Sequence, residues 1–203
     1  MKKFIAMVTA FVVAISLTSC GGPSPTDVTT TFLDGIKELN PETISSVYNQ
    51  EADDKEKDQE SIFDEEDQQM LDRLKKDPLN KMLAFDYELS NEQIKDDKAT
   101  VDVSVTTYDL AEPYQNFMKK FFVLALGMEE DISDEEMTDK MLTLLESEIR
   151  PLKEKTYKKT ATIDLVKVED EWKISPIDEN KDLINALTGG LLDLTEATES
   201  LFN

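Results

Sequence analysis

Few residues in this sequence can do chemistry. Its 203 positions hold one cysteine, Cys20, and no histidine, beside 44 acidic and 22 basic residues. Histidine is the commonest general base, the commonest transition-metal ligand and the usual switch near neutral pH. Its absence removes the standard member of all three kinds of site. The densest set of oxygen ligands is residues 51–67, "EADDKEKDQESIFDEED", with ten acids and two lysines. A calcium loop of the EF-hand type needs alternating acids followed by a glycine that makes the turn. This stretch has no glycine, so we read it as a solvated loop leading into a polar helix. We expect no metal and no cofactor.

Cys20 has a more specific setting. Lys2 and Lys3 precede a run, Phe4 to Leu17, that contains no charge, and Thr18 and Ser19 are small residues. This is the layout of a signal peptide. The apolar run is too short for a comfortable membrane span, which needs about 20 apolar residues. The ending Leu17-Thr18-Ser19-Cys20 resembles the lipobox of bacterial lipoproteins. The resemblance implies that the Cys20 thiol is diacylglycerated, that the peptide is cut before it, and that Cys20 becomes the lipidated first residue. The plainer alternative is an ordinary signal with an incidental cysteine, which leaves a lone thiol unexplained. Two acyl chains, at about 0.8 kcal/mol per buried methylene, hold a protein stably where one holds it marginally. With the thiol acylated, no sulfur nucleophile, Cys/His zinc site or disulfide is left. Gly21-Gly22-Pro23-Ser24-Pro25 follows as a short tether. The expected organisation is a signal peptide over 1–19, lipidated cysteine and tether over 20–25, and a single domain over 26–203.

The charge balance limits the partners. Formal net charge is −22, and loss of Lys2 and Lys3 leaves 20 − 44 = −24. Such a body is repelled by phosphate backbones and by anionic lipid surfaces. We therefore expect no nucleic-acid partner, and a domain that stands off the membrane.

The elements that must position any site follow from periodicity. Ser24-Pro25-Thr26-Asp27 is a helix start, with Val28, Phe32, Ile36 and Leu39 at helical spacing. Asn40-Pro41-Glu42 repeats the signal and opens a short second helix after a sharp corner. A polar helix is expected from about Asp64 to Lys76, stopping before Pro78. The period then changes to two. Leu83, Phe85, Tyr87 and Leu89 predict one strand, Val101, Val103 and Val105 its hairpin partner, with the turn near Asp96-Asp97. Residues 111–126 and a capping-box start at Ser133 predict two helices, the second carrying Met137, Met141, Leu145 and Ile149. A basic run, Arg150, Lys153, Lys155, Lys158 and Lys159, is read as a lysine-protected strand edge rather than an anion site. Thr160 to Val168 and Trp172-Lys173-Ile174 predict a second strand pair, before a C-terminal helical stretch broken at Gly189-Gly190. Runs of strands with helices set apart predict an α+β domain with an antiparallel sheet.

The segment "TIDLVKVEDEWKISPIDENKDLINALTGGLL" resembles the C-terminal half of small Gram-positive lipoproteins of unknown function, whose domain is similar to the NTF2-like (cystatin-like) cone. Ile163, Leu165, Val166, Trp172, Lys173 and Ile174 carry it, with the run from Asn185-Ala186-Leu187 to Gly189-Gly190-Leu191-Leu192. The early "VTTTFLDGIKELNPETISSVYN" resembles the opening helices of the same fold. Asp170-Glu171 replaces the usual hairpin glycine, which predicts a looser turn. The resemblance implies a curved antiparallel sheet packed against several helices. Enzymes on such a cone rely on carboxylates, histidine or tyrosine, for which this chain offers Asp86, Tyr87, Asp102 and Tyr108. Alternation along a strand turns Asp86 and Asp102 outward if their apolar neighbours face inward, so no catalytic residue and no enzyme are expected. Trp172 is expected in the core. Tyr114, Phe117, Phe121, Phe122 and Leu124 make the 111–126 helix apolar on more than one face. That helix is expected to fill the cone, or else to lid an apolar cavity. The expected function is a lipid-anchored interaction or ligand-binding module on the extracytoplasmic face of the bacterial cell membrane. Its partner would be another cell-envelope protein or an apolar small molecule. The alternatives are an NTF2-like enzyme using carboxylates and tyrosines, and the binding component of a transporter, for which about 180 residues is short of two lobes.

Overall fold

The computed structural model describes residues 22–49, 72–127 and 132–193. The signal segment, Cys20, the acidic run 51–67 and the polar helix expected from 64 lie outside these, except that 72–74 is helical. Helix α1 spans Pro25–Glu38 and α2 spans Pro41–Val47. A short 3-10 helix, Leu79–Leu83, leads into the hairpin of β1 (Asp86–Lys95) and β2 (Lys98–Thr107). Helices α3 (Ala111–Leu126) and α4 (Asp134–Ile149) follow. Then come β3 (Tyr157–Val168), β4 (Glu171–Ile174) and α5 (Lys181–Leu187). The sheet has four strands in the order β1-β2-β3-β4, each pair antiparallel. The architecture is α+β with an open antiparallel sheet.

The sheet has one apolar side and one polar side because the strands alternate strictly. On β2, Val101, Val103 and Val105 are buried; on β3, so are Ala161, Ile163 and Leu165. The register sets Val101 opposite Ile163 and Val103 opposite Ala161. Helix α1 lays Val28, Phe32 and Leu33 on this surface, and α5 adds Leu183, Ala186 and Leu187. The expected filling of the apolar side is thus present, but α1 and α5 provide it. Helix α3 packs on α4 instead. It starts beyond the end of β2, where Leu110 N–H donates to Gly189 O at 3.4 Å.

Local chemistry explains the corners. Ser24 Oγ accepts from Asp27 N–H at 3.1 Å, and the Asp27 carboxylate accepts from Ser24 N–H at 3.0 Å, a complete capping box. Gly35 lets α2 fold back tightly, since a Cβ there would lie 3.0 Å from Ile44. Gly189 is required twice over. Its φ is +61°, and a Cβ would meet Tyr108 O at 2.2 Å. Thr26 N–H and Oγ1 donate to Glu92 at 2.9 and 2.6 Å, fastening the start of α1 to the turn end of the β1–β2 hairpin.

Two expectations change. The β3–β4 turn is not loose: Val168 pairs with Glu171 across two residues, with Glu169 at φ 49° and Asp170 at φ 69°. A two-residue hairpin turn of this hand wants positive φ at both positions, which non-glycine residues adopt at a cost. Trp172 packs against the core but is only half-buried, with Lys167 Nζ 6.0 Å from its ring centre. The fully buried place on β4 belongs to Ile174. Of the basic run only Lys158 and Lys159 lie on a strand; Arg150, Lys153 and Lys155 precede β3. Strand β4 pairs only with Leu165–Val168, so among the described residues β3 is unpaired by strand on that side over 157–163. Lys159 there stands 3.9 Å from Asp182 and 3.8 Å from Asp193, while Lys155 pairs with Asp86 at 2.7 Å.

Replacing Glu169 by Asn together with Asp170 by Gly should raise stability by about 1 kcal/mol, read by urea denaturation. An unchanged or lower midpoint would mean that this turn carries no strain. Ile174→Ala should cost about 2–5 kcal/mol, and Trp172→Ala less. A reversed order in the same measurement would place Trp172 in the deeper position.

Candidate functional site

The polar side of the sheet carries the candidate site, because alternation delivers every second side chain there. Outward residues of β2 and β3 bond across the strands: Ser104 Oγ and Thr160 Oγ1 are 2.9 Å apart, and Thr162 Oγ1 donates to Asp102 at 2.9 Å. Asn91 Nδ2 donates to the same carboxylate at 2.8 Å. A bulge between Ser90 and Gln93 presents Asn91, which has φ 53°. Asn91 first, then Thr162, holds the Asp102 carboxyl below its ordinary value. Asp102 is a cross-strand brace that stays ionised.

Two hollows open on this side. One, about 450 Å³, is lined by Asp86, Glu88, Ser104, Thr106, Lys158 and Thr160. The other, about 410 Å³, lies at the turn end of the hairpin and brings together Lys95, Lys98, Asp164, Ser175 and Glu179. The buried Asn180 builds its wall. Its Oδ1 accepts from Asp164 N–H at 2.8 Å, and its Nδ2 donates to Ser175 O at 3.0 Å and Pro176 O at 3.3 Å. This clamp draws the loop after β4 over the end of β3. Burial chiefly, then the neighbouring Glu179, raises the Asp164 pKa, while Lys98 opposes the shift. Lysines from one turn thus face carboxylates from β3 and the loop. The lining could take a small polar or zwitterionic molecule, and it contains no nucleophile paired with a base.

The four residues singled out for cone chemistry do not converge. Asp86 is exposed on the polar side and paired with Lys155, and Asp102 is the brace. Tyr87 points to the helix side, where its hydroxyl donates to Asp34 at 2.8 Å. Burial first, then Asp34, pushes its pKa up to about 12. Tyr108 lies beyond the end of β2, with Lys81 Nζ 6.0 Å from its ring centre.

The aromatic helix departs most from expectation. None of Tyr114, Phe117, Phe121, Phe122 and Leu124 lines either hollow. Phe117 is buried, with Tyr114 and Phe121 rings at 6.1 and 5.8 Å. Lys120 reaches Glu148 at 2.5 Å, which pins α3 to α4. Phe122 lies on the opposite side, 67% exposed. The helix neither fills the sheet's interior nor lids it; it is apolar all round because one side meets α4 and the other is bare. No residue of the hairpin-end hollow stands out in the sequence as a site residue. Asp164 lies on the polar side by the alternation of β3, and Glu179 reaches it only through the fold of the 175–180 loop.

Among the described residues no cluster of three or more acids or cysteines could hold a metal ion, and no helix is long and apolar enough to cross a membrane. No family model and no curated protein matches the chain. Among solved structures it is similar to a Bacillus subtilis chain provisionally designated a lipoprotein (ycdA), with 18% identity and a TM-score of 0.39. The match covers 82% of this chain and 48% of that one, so this chain spans about half its length. A likeness that loose transfers neither fold nor function.

Because the folded state favours the neutral Tyr87 phenol, the stability this contributes is complete below the ordinary value of 10.0 and is lost as pH rises towards about 12. Denaturation midpoints should therefore fall between about pH 10 and about pH 12, and fall less in Tyr87→Phe. Identical pH dependence in the two proteins would show that the Tyr87–Asp34 bond does not hold in solution.

Proposed function

We propose that this chain is a lipid-anchored module on the extracytoplasmic face of a bacterial cell membrane and that it acts by binding, not catalysis. The observation that carries the reading is the placement of Cys20. It ends an uncharged run in the lipobox-like Leu17-Thr18-Ser19-Cys20, and the capped start of α1 stands only four residues later at Ser24. A folded body that begins so soon after the cysteine needs no further anchor segment than the acyl chains. The binding role rests on the polar side chains. The candidate acids and tyrosines are committed to braces and pairs at separate places, so they supply no general acid–base couple. We read the fold as NTF2-like on the strength of its two characteristic segments, supported by α1 and α5 packing on one side of an antiparallel sheet. A protein partner in the cell envelope suits the hollow of Asp86, Glu88 and Lys158 better than an apolar small molecule does; the hairpin-end hollow mixes charged side chains with Ala99, Leu165, Val166 and Pro176.

Cys20→Ala should lose metabolic acyl labelling and either leave the membrane fraction or accumulate with its first 19 residues uncleaved. A mutant that labels and fractionates like the parent would overturn the anchor.

A further inference from the structure

The surface least at home in water is on α3. Met118, Phe122, Val123 and Leu126 are 42, 67, 71 and 76% exposed. Positions 118, 122 and 126 are spaced at i, i+4 and i+8, so they form one continuous stripe, with Val123 beside it. Single exposed apolar residues need no explanation, but a contiguous patch marks an interaction site. We propose that this stripe docks a cationic amphipathic helix of another cell-envelope protein.

Placement argues against the bilayer as occupant, a step that rests on the anchor reading. Four residues from Cys20 to Ser24 span at most about 14 Å. The Thr26–Glu92 bonds fasten that end of α1 to the turn end of the hairpin. Strand β2 runs ten residues from that turn, Lys98 to Thr107, a length of roughly 33 Å. Helix α3 is joined to the sheet at the far end of this strand, and it packs on α4 rather than on the sheet.

Charge argues for the sign of the partner. Two copies of the cleaved chain, at 20 − 44 = −24, repel each other, so a second copy is the wrong occupant. The Lys120–Glu148 pair and the short connection make α3 and α4 an antiparallel hairpin. The first turn of α4, with exposed Glu135 and Glu136, therefore lies off the Leu126 end of the stripe. Over its length α4 has six acids and one lysine. Glu136 pairs with Lys140, Asp139 and Glu146 with Arg73, and Glu148 with Lys120, so among the described side chains Glu135 is the α4 acid outside these pairs. An approaching helix that seats leucine-like side chains on Phe122 and Leu126 would set a lysine against the exposed Glu135. The charge would speed encounter, and the apolar stripe would hold the complex.

The test uses the full chain, lipidated in its own host and placed in phosphatidylcholine nanodiscs, with empty nanodiscs as blank. The probe is a fluorescent amphipathic helical peptide of leucine and lysine. Saturable binding is expected, weakened at least about ten-fold by Phe122→Ser with Leu126→Ser. Both positions are exposed, so the fold should be unaffected, as circular dichroism would confirm. The same peptide with glutamate for lysine should not bind. Equal binding by the double variant would reduce the effect to charge adhesion and overturn the proposal. So would a parent chain that sediments as a dimer where the variant is a monomer, or lipid quenching of a fluorophore at position 122. Flotation of the chain with vesicles reads the anchor separately. A chain that fails to float sinks the lipid-anchor reading, while its titration with peptide in solution still decides the docking.

Discussion

A single buried layer between one side of the sheet and two helices holds this domain together. Val101, Val103, Ile163, Leu33 and Leu183 are at 0% exposure within it. Each such side chain contributes about 1.5–3 kcal/mol when taken out of water. No disulfide can assist, because the sequence has one cysteine. The layer must therefore be held by its own packing.

That constraint explains how so many acids are accommodated. Strict alternation on β2 and β3 sends polar residues to the water side, where they can be charged at little cost. The lysines are spent on them in exposed pairs, such as Lys155–Asp86 and Lys173–Glu171 at 2.7 and 2.9 Å. Exposed pairs of this kind are worth about 0–1 kcal/mol each. They offset part of the repulsion among the acids. The one acid in the hairpin-end hollow with a raised pKa, Asp164, owes this first to burial under the loop that Asn180 clamps.

The two ends of the sheet carry different surfaces. At the turn end stand the start of α1 and a hollow of mixed charge; on the proposed anchor this end is close to the membrane. At the other end Gly189 permits the close approach of Tyr108 and Leu110, from which the α3–α4 hairpin departs. Because this hairpin packs mainly on itself, α3 keeps an apolar stripe that the core does not consume. A stripe that contributes nothing to the buried layer can be selected for recognition alone.

Much of the architecture was legible from local signals. The Ser24 cap, the corner after Leu39, the Asp96-Asp97 turn and the inward set on β2 and β3 each follow from a short stretch of chain. Caps, turns and period-two burial are decided within a few residues, so composition and spacing determine them. The outward direction of Asp86 and Asp102 followed from the same period. What the tertiary structure alone decided depends on contacts between distant segments. A helix with apolar residues all round can be buried on both sides or bare on one. Only its packing on α4, rather than on the sheet, left Phe122 and Leu126 in water while Phe117 went inside. Trp172 and Ile174 share one face of β4, and which of them took the deep place likewise depended on how distant elements cover that face. Periodicity assigns side chains to faces of their own element; which other element covers each face is settled by long-range packing, and no local spacing encodes it.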